Sequence, residues 1–284
     1  MTQVGIVTDS SCCLPPELIK EYDIRVAPLG LVIDGKAHRD QVDITSKEFH
    51  RIYTSLKDIP TTSATPIGEF VDIFTKLGEI TNNILCVVLS KGLSATWESA
   101  NKAREISCEK KPGINIEIID SKTTTGALGF IVLEAARAAR AGKEFNDVVQ
   151  VAQNMVSRVK FILALDTLKY LVKSGRAPKG ALVASLLQVK PIVGMVSMTG
   201  LVESLGKTIG KRKSLLRVTD MIKEHVDTRK PLHLIVHYSN DITDGEKLKE
   251  LITSRLKCEE IYMTPITPVV GCTGGPLAGI AFYS

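Results

Sequence analysis

The stretch ILCVVLSKGLSAT, residues 84–96, carries the clearest structural signal in the chain. Its first half is an uninterrupted apolar run that ends at Leu89 before a glycine-containing turn, a pattern typical of a buried strand. Ser94 stands at the position expected for the N-cap of a following helix, predicted over residues 95–106. The stretch therefore predicts a strand–turn–helix unit with hydroxyl groups at the turn.

A second hydroxyl cluster, TTS at residues 61–63, also precedes a predicted helix, which carries Phe70 and Leu77. The free N–H groups and the dipole of a helix N-terminus favour an anion. A carboxylate or a phosphate held by Ser94 and a threonine of residues 61–63 is one interpretation. The other is that Ser94 only caps its helix.

Strand and helix patterns alternate along the first half of the chain, the order that places helices on both faces of a parallel sheet. The longest predicted helix covers residues 127–141. The predicted strands cover residues 4–7, 24–29, 84–89 and 114–119. We expect an N-terminal Rossmann-like domain with a parallel sheet, residues 1–159.

Two local signals add detail to this domain. The Asp34-Gly35 pair predicts a tight hairpin turn, because both residue types tolerate positive φ values. Thr45 and Glu48 have the spacing of a capping box and predict the start of a helix. Asp9 follows the first strand, and we expect it to brace the turn there.

The order of elements changes at residue 160, where the regular alternation ends. The predicted strands cover residues 161–165, 192–196, 201–203, 232–236 and 279–283, and the longer helices cover residues 214–226 and 244–256. We interpret residues 160–284 as a smaller C-terminal α+β layer domain. The loop at residues 265–276 is rich in Pro, Thr and Gly and is expected to reach the cleft. The predicted fold class is α/β with two domains and a ligand between them.

Composition excludes several function classes. The chain has 284 residues, 44% of them hydrophobic, and a net charge of +5 that is too mild and too evenly spread to indicate nucleic-acid binding. No secretory signal precedes the first strand. The most apolar stretch, residues 181–198, is interrupted by Gln188, Lys190 and Pro191, whereas a membrane span needs about 20 nearly uninterrupted apolar residues. We expect a cytoplasmic protein without stable membrane insertion.

The six cysteines form no CxxC pair and have no histidine at metal-ligand spacing. Neither a zinc site nor a redox motif is indicated, and reduced thiols are expected. A P-loop and a dinucleotide-binding fingerprint are also missing from the sequence. We expect no metal and no cofactor.

The two hydroxyl clusters resemble the paired signature of the DegV family. The first is PTTS at residues 60–63, followed by GEF at residues 68–70, and the second is LSKGLSAT at residues 89–96. Further motifs follow in family order: TDS at 8–10, DSK at 120–122, DTL at 166–168, GR at 175–176, KPI at 190–192 and GP at 275–276. The resemblance covers essentially the whole chain.

The resemblance implies a two-domain α/β protein that buries a long-chain fatty acid between its domains. In many members the protein presents this fatty acid to a fatty acid kinase, and it is not itself an enzyme. Carried over by motif, Thr62 and Ser94 would hold the carboxylate, with Thr61 and Thr273 as further head-group contacts. The tunnel wall would include residues 161–165 and a helix at residues 181–187.

Two positions depart from the family pattern. Thr273 stands where the closing motif of relatives has a histidine, and Ile209 stands where relatives carry an arginine. Both missing side chains would be cations near the head group, so the departures bear on kinase presentation and not on fatty acid binding. Arg176 and Arg212, the latter in a basic run, are candidates to contact the head group or the partner.

An enzyme is the alternative class. Ser94 could be the nucleophile of a hydrolase or an acyl-transfer enzyme, with Asp9 or Asp120 at the neighbouring strand ends. However, no histidine lies in a motif loop and no Gly-x-Ser-x-Gly elbow surrounds Ser94. A nucleic-acid-binding protein ranks last, because aromatic residues make up only 5% of the chain and no basic helix is evident.

Overall fold

A computed structural model of the chain describes residues 4–53, 55–179, 188–196, 198–227, 229–239 and 241–284. The predicted helix at residues 181–187 lies outside this described part. The described strands are β1 (Val4–Asp9), β2 (Arg25–Ala27), β3 (Gly30–Ile33), β4 (Lys36–Arg39), β5 (Thr61–Ser63), β6 (Asn83–Val88), β7 (Asn115–Asp120), β8 (Lys160–Leu165), β9 (Val189–Val196), β10 (Leu201–Ile209), β11 (Leu232–Tyr238), β12 (Cys258–Pro265) and β13 (Leu277–Tyr283). The described α-helices are α1 (Pro16–Glu21), α2 (Ser46–Tyr53), α3 (Ile67–Gly78), α4 (Thr96–Lys110), α5 (Thr125–Arg140), α6 (Phe145–Arg158), α7 (Lys169–Lys173), α8 (Lys211–His225), α9 (Ile242–Thr253) and α10 (Pro268–Gly274).

The first sheet is parallel, with the strand order β2-β1-β6-β7. Alternate residues of β6 pack into two hydrophobic cores, one on each face of this sheet. Ile84, Cys86 and Val88 pack with α3 and α4, whereas Leu85 and Val87 pack with the core that contains α5 and α6. A strand buried on both faces has no polar face to expose, which accounts for its continuous apolar run. This confirms the predicted parallel sheet.

The second sheet is mixed, with the strand order β10-β9-β8-β13-β11-β12. The last strand of the chain, β13, lies in its middle and pairs antiparallel with β8 and β11. One face of this sheet shares a core with α5 and α6, and the other is covered by α8 and α9. The fold is therefore α/β with two sheets. The division of the chain after residue 159 remains a prediction, although β8 begins at Lys160.

Helix α5 lies between the two sheets and is buried on most of its surface. Its glycines permit this close packing. A Cβ atom on Gly126 would lie 2.5 Å from Nε2 of His237, and one on Gly129 would lie 2.6 Å from the carbonyl oxygen of Cys12. Nε2 of His237 also accepts a 3.0 Å hydrogen bond from the Gly126 N–H, which ties α5 to the second sheet.

A small antiparallel sheet, β4-β3-β5, lies beside the first. Its predicted hairpin turn is confirmed, since Asp34 and Gly35 have φ values of 48° and 77°. The capping box is also confirmed: the Thr45 N–H donates to Glu48 at 2.9 Å, and the Glu48 N–H donates to Thr45 Oγ1 at 3.3 Å.

One expectation was wrong, and two strands were not predicted. The TTS cluster at residues 61–63 is a strand, β5, paired with β3. The predicted loop at residues 265–276 contains α10, and β12 was not predicted at all. In the described part of the chain, no helix is both long enough and apolar enough to cross a membrane.

Candidate ligand site at the ends of the parallel strands

Asp9 organises the polar edge where the parallel strands end. Its carboxylate is fully buried and accepts hydrogen bonds from the Leu89 N–H at 2.6 Å, the Ser11 N–H at 2.9 Å and the Ser11 hydroxyl at 2.6 Å. Burial raises the pKa of Asp9, while these hydrogen bonds act in the opposite direction. The predicted bracing role is confirmed, because one carboxylate holds both the turn after β1 and the backbone of Leu89, the residue that follows β6.

The loop from Ser90 to Ala95 joins the two sheets. The Ser90 N–H donates to the carbonyl of Thr123 at 2.8 Å, and the Ser90 hydroxyl donates to the carbonyl of Gly200 at 2.7 Å. A Cβ atom on Gly92 would approach the Thr199 and Gly200 carbonyl oxygens to 3.0 Å. The loop therefore packs directly against the turn between β9 and β10, and its glycine is required by that close approach.

Ser94 lies in this loop but does not cap α4, so that expectation was wrong. The helix begins at Thr96, and Ala95 occupies the N-cap position without a side-chain hydrogen bond. The Ser94 hydroxyl is instead 2.9 Å from Thr96 Oγ1. Because the cap position carries no side-chain acceptor, the first N–H groups of the helix have no side-chain cap.

Thr96 links the hydroxyl cluster at residues 89–96 to the segment that follows the cluster at residues 61–63. Its Oγ1 accepts a 3.4 Å hydrogen bond from the N–H of Thr65, which lies three residues after Thr62 in the chain. Three residues span at most about 11 Å, so Thr62 lies close to the start of α4. Sequence reasoning predicted Thr65 as the cap of α3, whereas Pro66 occupies that position, and it assigned no separate role to Thr96. The one signal in the sequence for Thr96 was its position, two residues after Ser94 in the same hydroxyl cluster.

Thr61 and Thr62 lie on opposite faces of β5, because side chains alternate along a strand. Thr62 pairs with Leu31, which is 1% exposed and belongs to the core, whereas Thr61 pairs with the exposed Val32. Thr62 is itself half-buried and Thr61 is exposed. Of the two predicted threonines, Thr62 is therefore the one on the core side of the strand.

Arg176 lies beside the loop, whereas Arg212 does not. Nε of Arg176 donates to the carbonyl of Leu93 at 2.9 Å, and burial lowers the pKa of this half-buried guanidinium. Arg212 is exposed in the first turn of α8. Within the described ranges, no hydrogen bond or ion pair joins Arg212 to the loop. The structure thus brings one of the two candidate arginines to Ser94.

Thr273 lies in the last turn of α10, a helix that packs against β5 and α7. Its hydroxyl donates to the carbonyl of Val270 at 3.1 Å. In this conformation the hydrogen is used within the helix, and only the oxygen lone pairs remain for another group.

Asp40 is a buried carboxylate that sequence reasoning missed. It is 1% exposed, and its Oδ1 accepts a 3.3 Å hydrogen bond from the Val269 N–H in α10. Burial raises its pKa to about 7, against the opposing effect of hydrogen bonds from Ser10, Val269 and Thr267. No sequence motif marks this residue, because its environment comes from distant segments.

The described residues offer Ser94 no general base. Its hydroxyl contacts Thr96, and Asp120 Oδ1 accepts from the N–H groups of Lys91 and Lys122 at 3.2 and 2.9 Å. His237 is completely buried, and burial lowers its pKa to about 4. In the described ranges, no three His, Cys, Asp or Glu side chains are grouped to hold a metal ion.

Comparison with known proteins identifies the family. The model of the family described as "Uncharacterised protein, DegV family" matches residues 3–284. The chain belongs to the DegV family. Among curated relatives of this DegV chain, a DegV domain-containing protein of Caldanaerobacter subterraneus is 32% identical over 281 residues, which cover 98% of this chain and 96% of the relative.

Solved structures of other DegV proteins have the same fold. A stearic acid-binding protein from Eubacterium ventriosum has a TM-score of 0.90 at 25% identity, covering 100% of this chain and 98% of that one. A fatty acid-binding DegV family protein from Thermus thermophilus has a TM-score of 0.89 at 26% identity, covering 99% of each chain. The two-sheet architecture of the present chain is thus that of DegV proteins described as fatty acid-binding.

Proposed function

We propose that this DegV chain binds a long-chain fatty acid, with its carboxylate held by Thr62 and Ser94. The observation that carries the proposal is the contact of Thr65 and Ser94 with Thr96, which brings Ser94 and the segment just after residues 61–63 to the start of α4. An uncapped helix N-terminus beside hydroxyl donors suits a carboxylate. The fatty acid-binding relatives support the same ligand class.

The acyl chain would extend between the two sheets. A cavity of about 200 Å³ opens beside β8, and its lining combines apolar side chains such as Phe161 and Met195 with the charged Lys122 and Glu203. Burial of each CH₂ group stabilises such a complex by about 0.8 kcal/mol. Only part of the predicted wall faces the shared core: Phe161 and Leu163 do, whereas Ile162 faces α8 and α9.

Binding is tested by displacement of a fluorescent fatty acid, with Thr62→Ala and Ser94→Ala as the variants. Each should weaken palmitate binding about tenfold or more, because a hydrogen bond to a charged group contributes about 1.5–3 kcal/mol. Thr61→Ala is the matched control, since Thr61 lies on the other face of β5, and its affinity should stay within about twofold. Unchanged affinity in both Thr62→Ala and Ser94→Ala would contradict the carboxylate assignment.

The same variants separate a carrier from an enzyme. A carrier shows no turnover of acyl esters such as p-nitrophenyl palmitate, and Ser94→Ala changes only its ligand affinity. Ester hydrolysis by the wild-type protein that disappears in Ser94→Ala would favour the hydrolase alternative.

Presentation to a fatty acid kinase is the second part of the proposal, with Arg176 as the cation beside the carboxylate. Thr273 and Ile209 supply no positive charge, whereas Arg176 bonds the residue before Ser94. Arg176→Gln should therefore reduce acyl phosphate formation by a fatty acid kinase and ATP more than it reduces palmitate affinity. Arg212→Gln serves as an exposed arginine control, and equal losses in both variants would contradict a special role of Arg176.

A further inference from the structure

The hydroxyl groups of Ser94 and Thr96 near the start of α4 are not equivalent in exposure. Thr96 is completely buried, and Ser94 is half-buried. Thr96 Oγ1 has two hydrogen-bond partners among the described residues, the Thr65 N–H at 3.4 Å and the Ser94 hydroxyl at 2.9 Å. A hydroxyl has one hydrogen to donate and two lone pairs that accept.

Either hydroxyl can donate in the Ser94–Thr96 bond, and the burial of Thr96 favours one direction. The Thr65 N–H can only donate, so Thr96 Oγ1 accepts from it. If Thr96 also accepted from Ser94, the Thr96 hydrogen would be buried without an acceptor, which is costly. If Thr96 donates to Ser94, the Thr96 hydrogen has an acceptor, and the hydrogen of the half-buried Ser94 can reach solvent or a ligand.

We propose that Thr96 is a positioning residue that makes Ser94 a hydrogen-bond donor toward the ligand head group. The Thr96 hydrogen occupies a lone pair of the Ser94 oxygen, so the Ser94 hydrogen points away from Thr96. Donation also polarises the Ser94 hydroxyl and strengthens its own donation. Because a hydrogen bond to an ionised acceptor is stronger than one to a neutral acceptor, the site then favours an ionised carboxylate over a neutral head group.

This inference rests on the proposed fatty acid site. It goes beyond that site by assigning the direction of the hydrogen bonds and the ionised form of the head group. The relay is built within one short segment and tied by Thr65 to the strand that carries Thr62. Pre-organisation of this kind raises affinity by reducing the ordering that binding must otherwise impose.

The first test compares two variants of Thr96. Thr96→Val keeps the shape of the side chain but removes the hydroxyl, whereas Thr96→Ser keeps a hydroxyl that can accept from the Thr65 N–H and donate to Ser94. Affinities for palmitate and for hexadecan-1-ol are measured by displacement of a fluorescent fatty acid. Thr96→Val should weaken palmitate binding about three- to tenfold and hexadecan-1-ol binding less than twofold. Thr96→Ser should behave as the wild type. Equal weakening for both ligands would overturn the relay and leave Thr96 with a packing role only.

A double-mutant cycle with Ser94→Ala provides the second readout. Because the relay acts through Ser94, Thr96→Val should cause no further loss of palmitate affinity once Ser94 is alanine. Additive losses would overturn the proposal. Wild-type protein that binds neither ligand would refute the proposed function itself, an outcome distinct from failure of the relay.

A measurement on the wild-type protein covers the case in which Thr96→Val does not fold. The proton between the two hydroxyl oxygens can be assigned by nuclear magnetic resonance from its scalar coupling. Coupling to Hβ of Thr96 is expected, because Thr96 is the donor. Coupling to the Hβ protons of Ser94 would reverse the direction and overturn the proposal.

Discussion

Two polar clusters of this protein differ in how their charges are balanced. Between α5 and β12, Arg137 donates to Glu260 at 2.6 Å and to Glu134 at 2.7 Å, while His233 and Tyr262 each contact Glu260 at 2.8 Å. At the ends of the parallel strands, the carboxylates of Asp9 and Asp40 are instead held by N–H groups and hydroxyls.

The difference separates a structural cluster from the proposed ligand site. In the first, called here the Arg137–Glu260 network, the donors and acceptors satisfy one another within the cluster. In the second, the hydroxyl edge, Ser94 and Thr62 remain half-buried and can contact another molecule. A network closed on itself links elements together, whereas donors left open beside a helix N-terminus favour an anionic ligand.

The largest expected effect concerns Asp9. Asp9→Ala removes the acceptor of three hydrogen bonds and leaves the buried Leu89 and Ser11 N–H groups unpaired. We expect the free energy of unfolding to fall by about 3–5 kcal/mol, measured by urea denaturation.

Asp120→Ala is the matched control for Asp9→Ala. Asp120 also follows a parallel strand and holds turn N–H groups, but it is only half-buried. A smaller loss, about 1 kcal/mol, is expected there. Equal losses in the two variants would mean that burial of Asp9 does not matter for the hydroxyl edge.

A smaller effect is expected in the Arg137–Glu260 network. Burial by itself raises the pKa of Glu260, but hydrogen bonds from Arg137, His233 and Tyr262 outweigh it and lower the pKa to about 2. The carboxylate therefore stabilises the folded state above its unfolded pKa of about 4.5, and this contribution is lost as the pH falls from there toward 2.

Glu260→Gln should lower the free energy of unfolding by about 2 kcal/mol at pH 7, because it removes charge-assisted hydrogen bonds from a half-buried arginine. Palmitate affinity should stay within about twofold, since the network lies away from the Ser94 loop. Urea denaturation at pH 7 and pH 3 checks the direction of this pH dependence. The difference in free energy of unfolding between Glu260→Gln and wild type should be smaller at pH 3 than at pH 7. A loss of palmitate affinity would contradict the separation between the two clusters.

Sequence patterns predicted the elements whose causes are local. The run over residues 84–89 is apolar on both faces, so its burial in β6 follows from composition alone. Thr45 and Glu48 form their capping box within one turn. The fold class followed from the alternation of such signals and from the DegV resemblance.

The elements that were missed depend on distant contacts. The sequence of α10, PVVGCTG, has low helix propensity, and the helix forms where α2, β5 and α7 pack around it. β12 has no polar–apolar alternation, because it is an edge strand and its Glu260 pairs with Arg137 of α5. The predicted cap at Ser94 was wrong because its hydroxyl bonds Thr96. Its role as a carboxylate ligand stays a prediction, as does that of Thr62.

The smallest effect concerns Asp40, on the hydroxyl edge. Its pKa is raised from 3.8 to about 7, so the folded state holds the proton more tightly than the unfolded state. The free energy of unfolding therefore falls as the pH rises from about 4 to 7, and the lost stability is not regained above pH 7. Asp40→Asn keeps an oxygen for the Val269 N–H and should be more stable than wild type by about 1–2 kcal/mol at pH 8, with no gain at pH 4.

Asp43→Asn is the control for Asp40→Asn, because Asp43 is exposed and paired with Arg39, and its pKa is lowered by those hydrogen bonds. It should show no gain at pH 8. Urea denaturation of both variants and of wild type at pH 4, 6 and 8 gives the free energy of unfolding as a function of pH. If Asp40→Asn is destabilised equally at all three values, the Asp40 carboxylate is well paired in the folded protein. The hydroxyl edge would then resemble the Arg137–Glu260 network, because both clusters would satisfy their carboxylates internally, and the contrast between them would no longer mark the ligand site.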